Sequence, residues 1–224
     1  MRGTPKLVQP NEFVTGIRGH QLSEILRAAE IREVRARRVI MREGTWPTHL
    51  FLLKSGRARF YRSTDGGQDV LLSTIGPGDI FGLSNLLARP GPYIGTAETT
   101  RDSELLVWDQ SRIRRLAEKY PRLSQNALGI ALRYLAKHFD RLYDLIACTA
   151  TERVARILLH MANESSAILP NAAEIAVTNA ELAEEAHVSP FTVSRLIRRW
   201  TRKGALRKSR GKLAILSPEQ LFGN

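Results

Sequence analysis

Residues 178–195 read TNAELAEEAHVSPFTVSR, and this stretch contains the start signals of two successive helices. Thr178 and Glu181 have the Thr-x-x-Glu spacing of a capping box, in which each side chain accepts a backbone N–H of the other residue. Ser189 is a typical N-cap, and Pro190 follows at the first helical position, where its missing N–H costs nothing. Two helices joined by a tight turn form a helix-turn-helix. The sequence predicts this motif, with helices at 179–186 and from 190 to about 203.

The second predicted helix has two different faces. Its inward face is apolar and consists of Val193, Leu196, Ile197 and Trp200. Its opposite face is basic and carries hydroxyl groups, and it consists of Phe191, Ser194, Arg195, Arg198 and Arg202. This pattern is typical of a helix that reads the major groove of DNA. Phe191 fits the core as well as the base-facing side. His187 is interpreted as a structural turn residue, because histidine tolerates a left-handed backbone, rather than as a metal ligand.

The charge of the chain is strongly positive and is concentrated near this motif. The sequence has 34 Lys+Arg against 22 Asp+Glu, a formal net charge of +12 at pH 7. That balance favours a polyanion such as nucleic acid or an anionic membrane surface. Positions 195–212 hold nine positive residues and no acid. After a helix stop at Gly204, two short strands predict a wing with Arg210 and Lys212 at its tip. The alternative is a winged helix that binds protein.

The region from about residue 34 to residue 109 has a different pattern. Short apolar or alternating runs are separated there by turns rich in glycine and proline. Strands of about five residues at regular spacing predict an all-β sandwich or barrel. A short helix is predicted before this region, at 22–30. The clearest strands are predicted at 49–54, 57–62, 70–75 and 104–108.

The segment from about 111 to 147 is helical in pattern and is interrupted by Pro121. Apolar residues repeat in it at spacings of 4, 3, 4, 3 and 4, an a/d heptad pattern. The repeat consists of Leu128, Leu132, Leu135, Phe139, Leu142 and Ile146. It predicts a dimer interface. The alternative is that the stripe packs on the β domain of its own chain, and because a long helix has two sides, both arrangements can hold.

Several classes of protein are excluded by what the sequence lacks. Cys148 is the only cysteine, which excludes a disulfide framework, a multi-cysteine zinc site and a cysteine-ligated iron–sulfur cluster, and we expect no metal centre. No apolar run approaches the roughly 20 residues that span a bilayer, so we expect a cytoplasmic protein with no membrane partner. No Gly-x-Ser-x-Gly elbow, P-loop or His-Glu-x-x-His motif occurs, and we do not expect an enzyme.

Three motifs occur along the chain: Gly76-Pro-Gly-Asp79 leading into Phe81-Gly82, Thr151-Glu-Arg-Val-Ala-Arg-Ile-Leu158, and Phe191-Thr-Val-Ser-Arg195. Together they resemble the motifs of the Crp/Fnr superfamily of bacterial transcription factors. The resemblance covers about residues 35–216. It implies a homodimer that reads an inverted repeat in double-stranded DNA, an effector that reorients the DNA-binding domains, and RNA polymerase as a partner.

The expected fold class is therefore α+β. It comprises an N-terminal β jelly-roll domain similar to cyclic-nucleotide-binding domains, a long dimerisation helix and a C-terminal winged helix-turn-helix. The corresponding boundaries are 1–110, 111–148 and 149–224.

The sequence departs from the cyclic-AMP-binding members of that family. Where they supply a glutamate to the ribose and an Arg-Ser pair to the phosphate, this chain has Leu83 and Tyr93-Ile94. A phosphate without its arginine loses a charge-assisted pair of about 1.5–3 kcal/mol. We therefore do not expect cyclic AMP as the effector. The resemblance leaves an apolar effector pocket formed by Leu83, Leu86, Tyr93, Ile94, His138 and Phe139.

The cofactor is left open by the sequence. The pocket suits haem, an apolar ligand or no ligand, so a haem- or redox-dependent gas sensor of the same family is the alternative function. Cys148 is interpreted as structural rather than as a redox switch. The histidines considered as haem ligands are His20, His49, His138 and His160.

The DNA contacts follow from the resemblance residue by residue. Ser194 and Arg195 match the family's reading pattern, and Arg195 is expected to contact the O6 and N7 atoms of a guanine. Phe191 replaces the family's glutamate. The phenylalanine ring cannot accept a hydrogen bond from a cytosine amino group, but it can touch a thymine methyl. We therefore expect the half-site to differ from the family's usual one at the base that the glutamate reads. The complete set of expected DNA contacts is Thr178, Ser189, Phe191, Thr192, Ser194, Arg195, Arg198, Arg210 and Lys212.

Overall fold

A computed structural model describes residues 11–166, 174–209 and 212–222 of the chain. The chain forms two compact units, Met1–Ala136 and Lys137–Asn224, and the boundary between them falls inside a long helix. The three-part division expected from the sequence stays a prediction. Within the described ranges, none of the helices combines the length and the apolar character needed to cross a membrane.

The first unit contains two four-stranded antiparallel sheets. One has the order β1-β8-β3-β6 and the other the order β2-β7-β4-β5. The four strands predicted from the sequence are confirmed to within about one residue. The strand bounds are β1 Glu30–Val34, β2 Val39–Met41, β3 His49–Ser55, β4 Ala58–Ser63, β5 Asp69–Ile75, β6 Ile80–Phe81, β7 Thr96–Thr99 and β8 Ser103–Asp109.

Strand β3 shows why this sandwich forms. Successive side chains of a strand point to opposite faces, and β3 buries both of its faces. Phe51 and Leu53 join the core between the two sheets, together with Leu105 and Val107 of β8. The alternate residues of β3 and β8 belong to a second core on the other face of that sheet, where helices cover it.

The position directly after β6 requires glycine. Gly82 has φ +78°, and a Cβ atom at this position would lie 2.8 Å from the His49 carbonyl oxygen. The turn upstream is closed by Asp79, whose Oδ2 accepts from the Gly76 N–H at 2.7 Å. The Gly-Pro-Gly-Asp motif therefore has a structural role at the end of this sheet.

Three helices cover the outer face of the first sheet: α1 Gly19–Arg27, α2 Gln110–Lys119 and the start of α3 Arg122–Ala147. The prediction of a helix at 22–30 is wrong at both ends. Its start was missed because Arg18 makes no side-chain cap. Its end was misplaced because Glu30 pairs with Val107 in the sheet, and for the same reason the β region begins before residue 34.

Helix α3 has one covered side and one exposed side. Leu123, Ala127 and Ile130 are buried in the helix-covered core, and the Tyr134 hydroxyl donates to the Ile80 carbonyl at 3.0 Å. The heptad stripe is the exposed side. Its six side chains are 51% to 79% exposed: Leu128, Leu132, Leu135, Phe139, Leu142 and Ile146. Within the first unit, Leu128, Leu132 and Leu135 therefore do not pack on the β domain. The dimer interface stays a prediction.

The second unit is a helical domain with a small sheet. Its elements are α4 Ala150–Ser166, β9 Glu174–Ala176, α5 Asn179–Ala186, α6 Pro190–Arg202, β10 Leu206–Ser209 and β11 Lys212–Ile215. The sheet is antiparallel with the order β10-β11-β9. One apolar core joins α4, α5, α6 and the sheet. Thr149 and Glu152 cap the start of α4 reciprocally, at 2.7 and 3.3 Å.

Candidate nucleic-acid interface

The first helix of the helix-turn-helix is α5. The Thr178 Oγ1 accepts from the Glu181 N–H at 3.1 Å, and the Glu181 carboxylate accepts from the Thr178 N–H at 2.8 Å. The predicted capping box and the bounds 179–186 are therefore confirmed. At the other end, His187 has φ 49° and ψ 52°. This left-handed conformation confirms that His187 is a turn residue.

The second helix, α6, begins as the sequence predicts. The Ser189 Oγ accepts from the Thr192 N–H at 3.1 Å, and Pro190 occupies the first helical position. The two hydroxyl groups of Ser189 and Thr192 are 2.9 Å apart. The start of α6 therefore carries a hydroxyl pair at the end where a helix presents free N–H groups and positive potential.

The two faces of α6 are confirmed by their burial. The inward residues pack in the core of the unit: Val193, Leu196, Ile197 and Trp200. Phe191 is 77% exposed. The interpretation of Phe191 as a core residue is therefore wrong, and its ring lies on the outer face with the basic side chains.

The arginines of α6 differ in their partners. Arg195 and Arg198 are exposed, and no described residue forms an ion pair with either guanidinium. Arg199 is half-buried and donates through Nη2 to the Thr151 Oγ1 at 3.5 Å, so it ties α6 to α4. Ser194 is half-buried beside this exposed face. Arg195 and Arg198 are therefore the α6 cations available to an external anion, and both lie on the helix face predicted to meet DNA.

The wing contains a strand and an ion pair that the sequence analysis missed. Strand β9 pairs with β11, and Lys212 donates through Nζ to Glu174 at 2.9 Å. This ammonium lowers the pKa of the Glu174 carboxyl, with a smaller effect from the charge of Arg207. Lys212 therefore has a partner within the chain. The predicted contact at Arg210 lies outside the described residues.

Two guanidinium groups surround the turn of the helix-turn-helix. Arg141 donates through Nη2 to the Glu185 carbonyl at 3.3 Å, and Arg153 donates through Nε to the Ala186 carbonyl at 3.0 Å. Burial lowers the pKa of His187, and the charge of Arg141 lowers it further. Neutral His187 is favoured at this position. Sequence reasoning missed both arginines because each contact joins residues more than 30 positions apart.

The residues assigned to the effector pocket have different environments. Leu83 and Leu86 pack against the helix-covered core, whereas Tyr93 is buried between the sheets and donates its hydroxyl to the His49 carbonyl at 3.0 Å. Ile94 is 77% exposed. The remaining two residues, both exposed side chains of α3, are His138 and Phe139.

Three of these residues lack a group that could pair with the phosphate of a cyclic nucleotide. Leu83, Tyr93 and Ile94 offer no positive charge to a phosphate, and the Tyr93 hydroxyl is already engaged within the sandwich. The histidines considered as haem ligands lie on four separate elements, α1, β3, α3 and α4. Among the described residues, no three His, Cys, Asp or Glu side chains are grouped so that they could hold a metal.

A β sandwich, a long helix with an exposed apolar stripe and a winged helix-turn-helix define a class of protein, the two-domain transcriptional regulators. Residues 31–120 match the family described as the cyclic nucleotide-binding domain, and residues 152–222 match the Crp-like helix-turn-helix domain. The chain belongs to the Crp/Fnr family of transcriptional regulators, whose DNA-binding domain is a helix-turn-helix. The predicted α+β fold class is confirmed.

Relatives and solved structures agree with this assignment. The chain is 30% identical over 189 residues to the cyclic AMP receptor protein of Thermus thermophilus, covering 82% of this chain and 84% of that protein. It is 26% identical over 183 residues to the CRP-like cAMP-activated global transcriptional regulator of Mycobacterium tuberculosis, covering 81% of each. The fold is similar to that of a CooA mutant from Carboxydothermus hydrogenoformans, with a TM-score of 0.78, 19% identity and 96% of each chain covered.

Proposed function

We propose that the chain acts as a homodimer and that α6 of each copy reads one half of an inverted repeat in double-stranded DNA. The observation that carries this proposal is the outer face of α6. Phe191 is 77% exposed, and the exposed guanidinium groups of Arg195 and Arg198 have no ion-pair partner among the described residues. An apolar ring flanked by free cations on a helix of a helix-turn-helix suits the edges and backbone of a major groove.

The residues of this face divide into two roles. Arg195 reads a guanine through its O6 and N7 atoms, which contributes about 1–3 kcal/mol of discrimination. Phe191 touches a thymine methyl and has no acceptor for a cytosine amino group. Ser194 lies beside both. The half-site is therefore expected to depart from the usual family sequence at the base that Phe191 meets.

The other contacts hold the phosphate backbone. Phosphates bind at helix N-termini because free N–H groups and the positive end of the helix dipole meet there. Thr178 begins α5, and the hydroxyl pair of Ser189 and Thr192 begins α6. The cationic phosphate contacts are Arg198, Arg210 and Lys212.

Dimerisation is assigned to the α3 stripe. Six apolar side chains at heptad spacing, each at least 51% exposed, form the kind of seam that two helices bury between them. Two copies related by this seam would place their recognition helices about 34–36 Å apart, one turn of DNA. RNA polymerase is the expected partner of the bound dimer, in the cytoplasm.

The effector is proposed not to be cyclic AMP. This rests on Leu83, Tyr93 and Ile94, which provide no charge partner for a phosphate. Calorimetric titration of the purified protein with cyclic AMP should give no binding at micromolar concentrations. Micromolar affinity would contradict the assignment.

The proposed reading of DNA is tested with single arginine substitutions. The ratio of the affinity for a selected inverted repeat to the affinity for a scrambled duplex is measured by fluorescence anisotropy. Arg195→Ala should lower this ratio by about 5- to 150-fold per half-site, which corresponds to a loss of about 1–3 kcal/mol. Arg198→Ala should weaken both affinities alike and reduce the salt slope.

Arg112→Ala provides the matched control, because Arg112 is an exposed arginine on α2 in the other unit. It should leave both affinities unchanged. If Arg195→Ala keeps the wild-type ratio, α6 does not read the bases as proposed.

A further inference from the structure

The C-terminus of α5 is capped by two arginines from two different helices. The last carbonyl groups of a helix have no partner within it, and they form its negative end. Here the Glu185 carbonyl accepts from Arg141 at 3.3 Å, and the Ala186 carbonyl accepts from Arg153 at 3.0 Å. Both contacts place a guanidinium where the helix dipole favours positive charge.

Arg141 and Arg153 connect α5 to different parts of the fold. Arg153 belongs to α4 and also donates through Nη1 to the Cys148 carbonyl at 2.9 Å. Arg141 belongs to α3 and also lies 3.9 Å from the carboxylate of Glu185. The side chains of Arg141 and Glu185 are only 20% and 21% exposed. Solvent and salt screen such a shielded pair less than an exposed one.

The contact of Arg141 with Glu185 links the helix of the predicted dimer interface to the helix-turn-helix. Arg141 directly precedes Leu142 and follows Phe139 by two residues, so it borders the apolar stripe of the predicted dimer interface without being one of its six residues. Helices α5 and α6 share one core, in which Ala183 and Ala186 belong to the same cluster as Val193. A contact that fixes α5 relative to α3 therefore also fixes α6.

We propose that Arg141 is a positioning residue that sets the half-site spacing the dimer accepts. It does so by holding the helix-turn-helix at one angle to the helix that forms the dimer axis. This inference rests on the proposed dimeric reading of an inverted repeat. Arg153 caps the same helix end from α4, so a purely capping role gives both arginines the same effect. The proposed role instead belongs to Arg141, the one of these two arginines that comes from α3.

The experiment compares full-length wild-type protein with Arg141→Gln, Arg153→Gln and a control, Arg112→Gln. Arg112 is an exposed arginine on α2, outside the unit that contains the helix-turn-helix. Dissociation constants are measured for inverted repeats with the preferred spacer and with spacers one base pair longer or shorter. Each base pair moves a half-site by about 3.4 Å and turns it around the DNA axis.

The wild-type protein, Arg153→Gln and Arg112→Gln should each lose at least about tenfold in affinity when the spacer changes. Arg141→Gln should bind all three spacers within about threefold of one another, and Arg141→Lys should recover part of the discrimination. If Arg141→Gln discriminates like the wild type, or if Arg153→Gln loses discrimination to the same extent, the inference is overturned.

Two further results keep the test decisive. If Arg141→Gln does not fold, Glu185→Gln weakens the same pair from α5 and should relax the spacing preference in its place; unchanged discrimination in that variant overturns the inference. A wild-type protein that binds every spacer equally contradicts the proposed dimeric reading itself, which separates that failure from a failure of the Arg141 assignment.

Discussion

The exposed stripe of α3 allows the cost of breaking the dimer to be worked out. Leu135 and Leu142 are each 51% exposed. Burying a whole leucine side chain contributes about 1.5–3 kcal/mol, so covering the exposed part contributes about 0.8–1.5 kcal/mol. Two leucines in each of two copies give about 3–6 kcal/mol. The double substitution Leu135→Glu, Leu142→Glu should therefore raise the dimer dissociation constant by about 10²- to 10⁴-fold.

This value is a lower bound, because glutamate also resists burial at a seam. Sedimentation equilibrium at several concentrations measures the change, and Leu87→Glu is the control, since Leu87 is 56% exposed outside the stripe. Circular dichroism checks that α3 still folds. A double variant that sediments as a dimer with wild-type affinity would refute the assignment of the seam.

Three other predictions concern the DNA-binding unit. Glu174→Gln frees Lys212, so DNA binding should tighten and the salt slope should steepen by up to about 0.9 per copy; an unchanged salt titration would contradict this. Because burial lowers the pKa of His187, the unfolding free energy should fall as pH drops below 6.5, and His187→Asn should reduce that dependence in denaturant titrations. Trp200→Ala should destabilise this unit by about 3–5 kcal/mol, whereas Trp200→Phe should cost much less, measured by denaturant unfolding.

The sign of the His187 effect follows from linkage. In the unfolded chain, the His187 imidazole binds a proton near its ordinary pKa of 6.5. In the folded protein, burial lowers the pKa of His187, so the same proton binds only at lower pH. The stabilising contribution of neutral His187 is therefore complete above that pH and is lost as the pH falls towards the folded pKa. Asparagine suits the comparison because it tolerates the left-handed backbone and does not titrate. His138, whose pKa burial also lowers, remains in both proteins.

Local signals account for most of what the sequence predicted correctly. The capping box at Thr178 and the Ser189-Pro190 start involve residues at most three apart, so the bounds of α5 and the start of α6 could be predicted from sequence alone. The exposure of Phe191 could not be predicted, because the helical periodicity was compatible with Phe191 in the core as well as on the base-facing side. The outer face of α6 was nonetheless identified.

Contacts between distant residues account for what was missed. Strand β9 has three residues and forms only because β11 offers it an edge. The two arginine caps on α5 depend on how three helices pack. The short helix α1 was misplaced because its start has no side-chain cap and because sheet pairing takes Glu30. Short-range patterns do not contain this information.

The most direct test of DNA reading by α6 is a selection of bound fragments from a random duplex pool, with purified full-length protein at about 150 mM salt and no added ligand. We expect an inverted repeat whose half-site centres lie about one turn of DNA apart, with a guanine opposite Arg195 and a thymine at the base that Phe191 meets. Recovery of fragments with no shared sequence, bound only in a salt-sensitive manner, would contradict the claim that α6 of a dimer reads DNA.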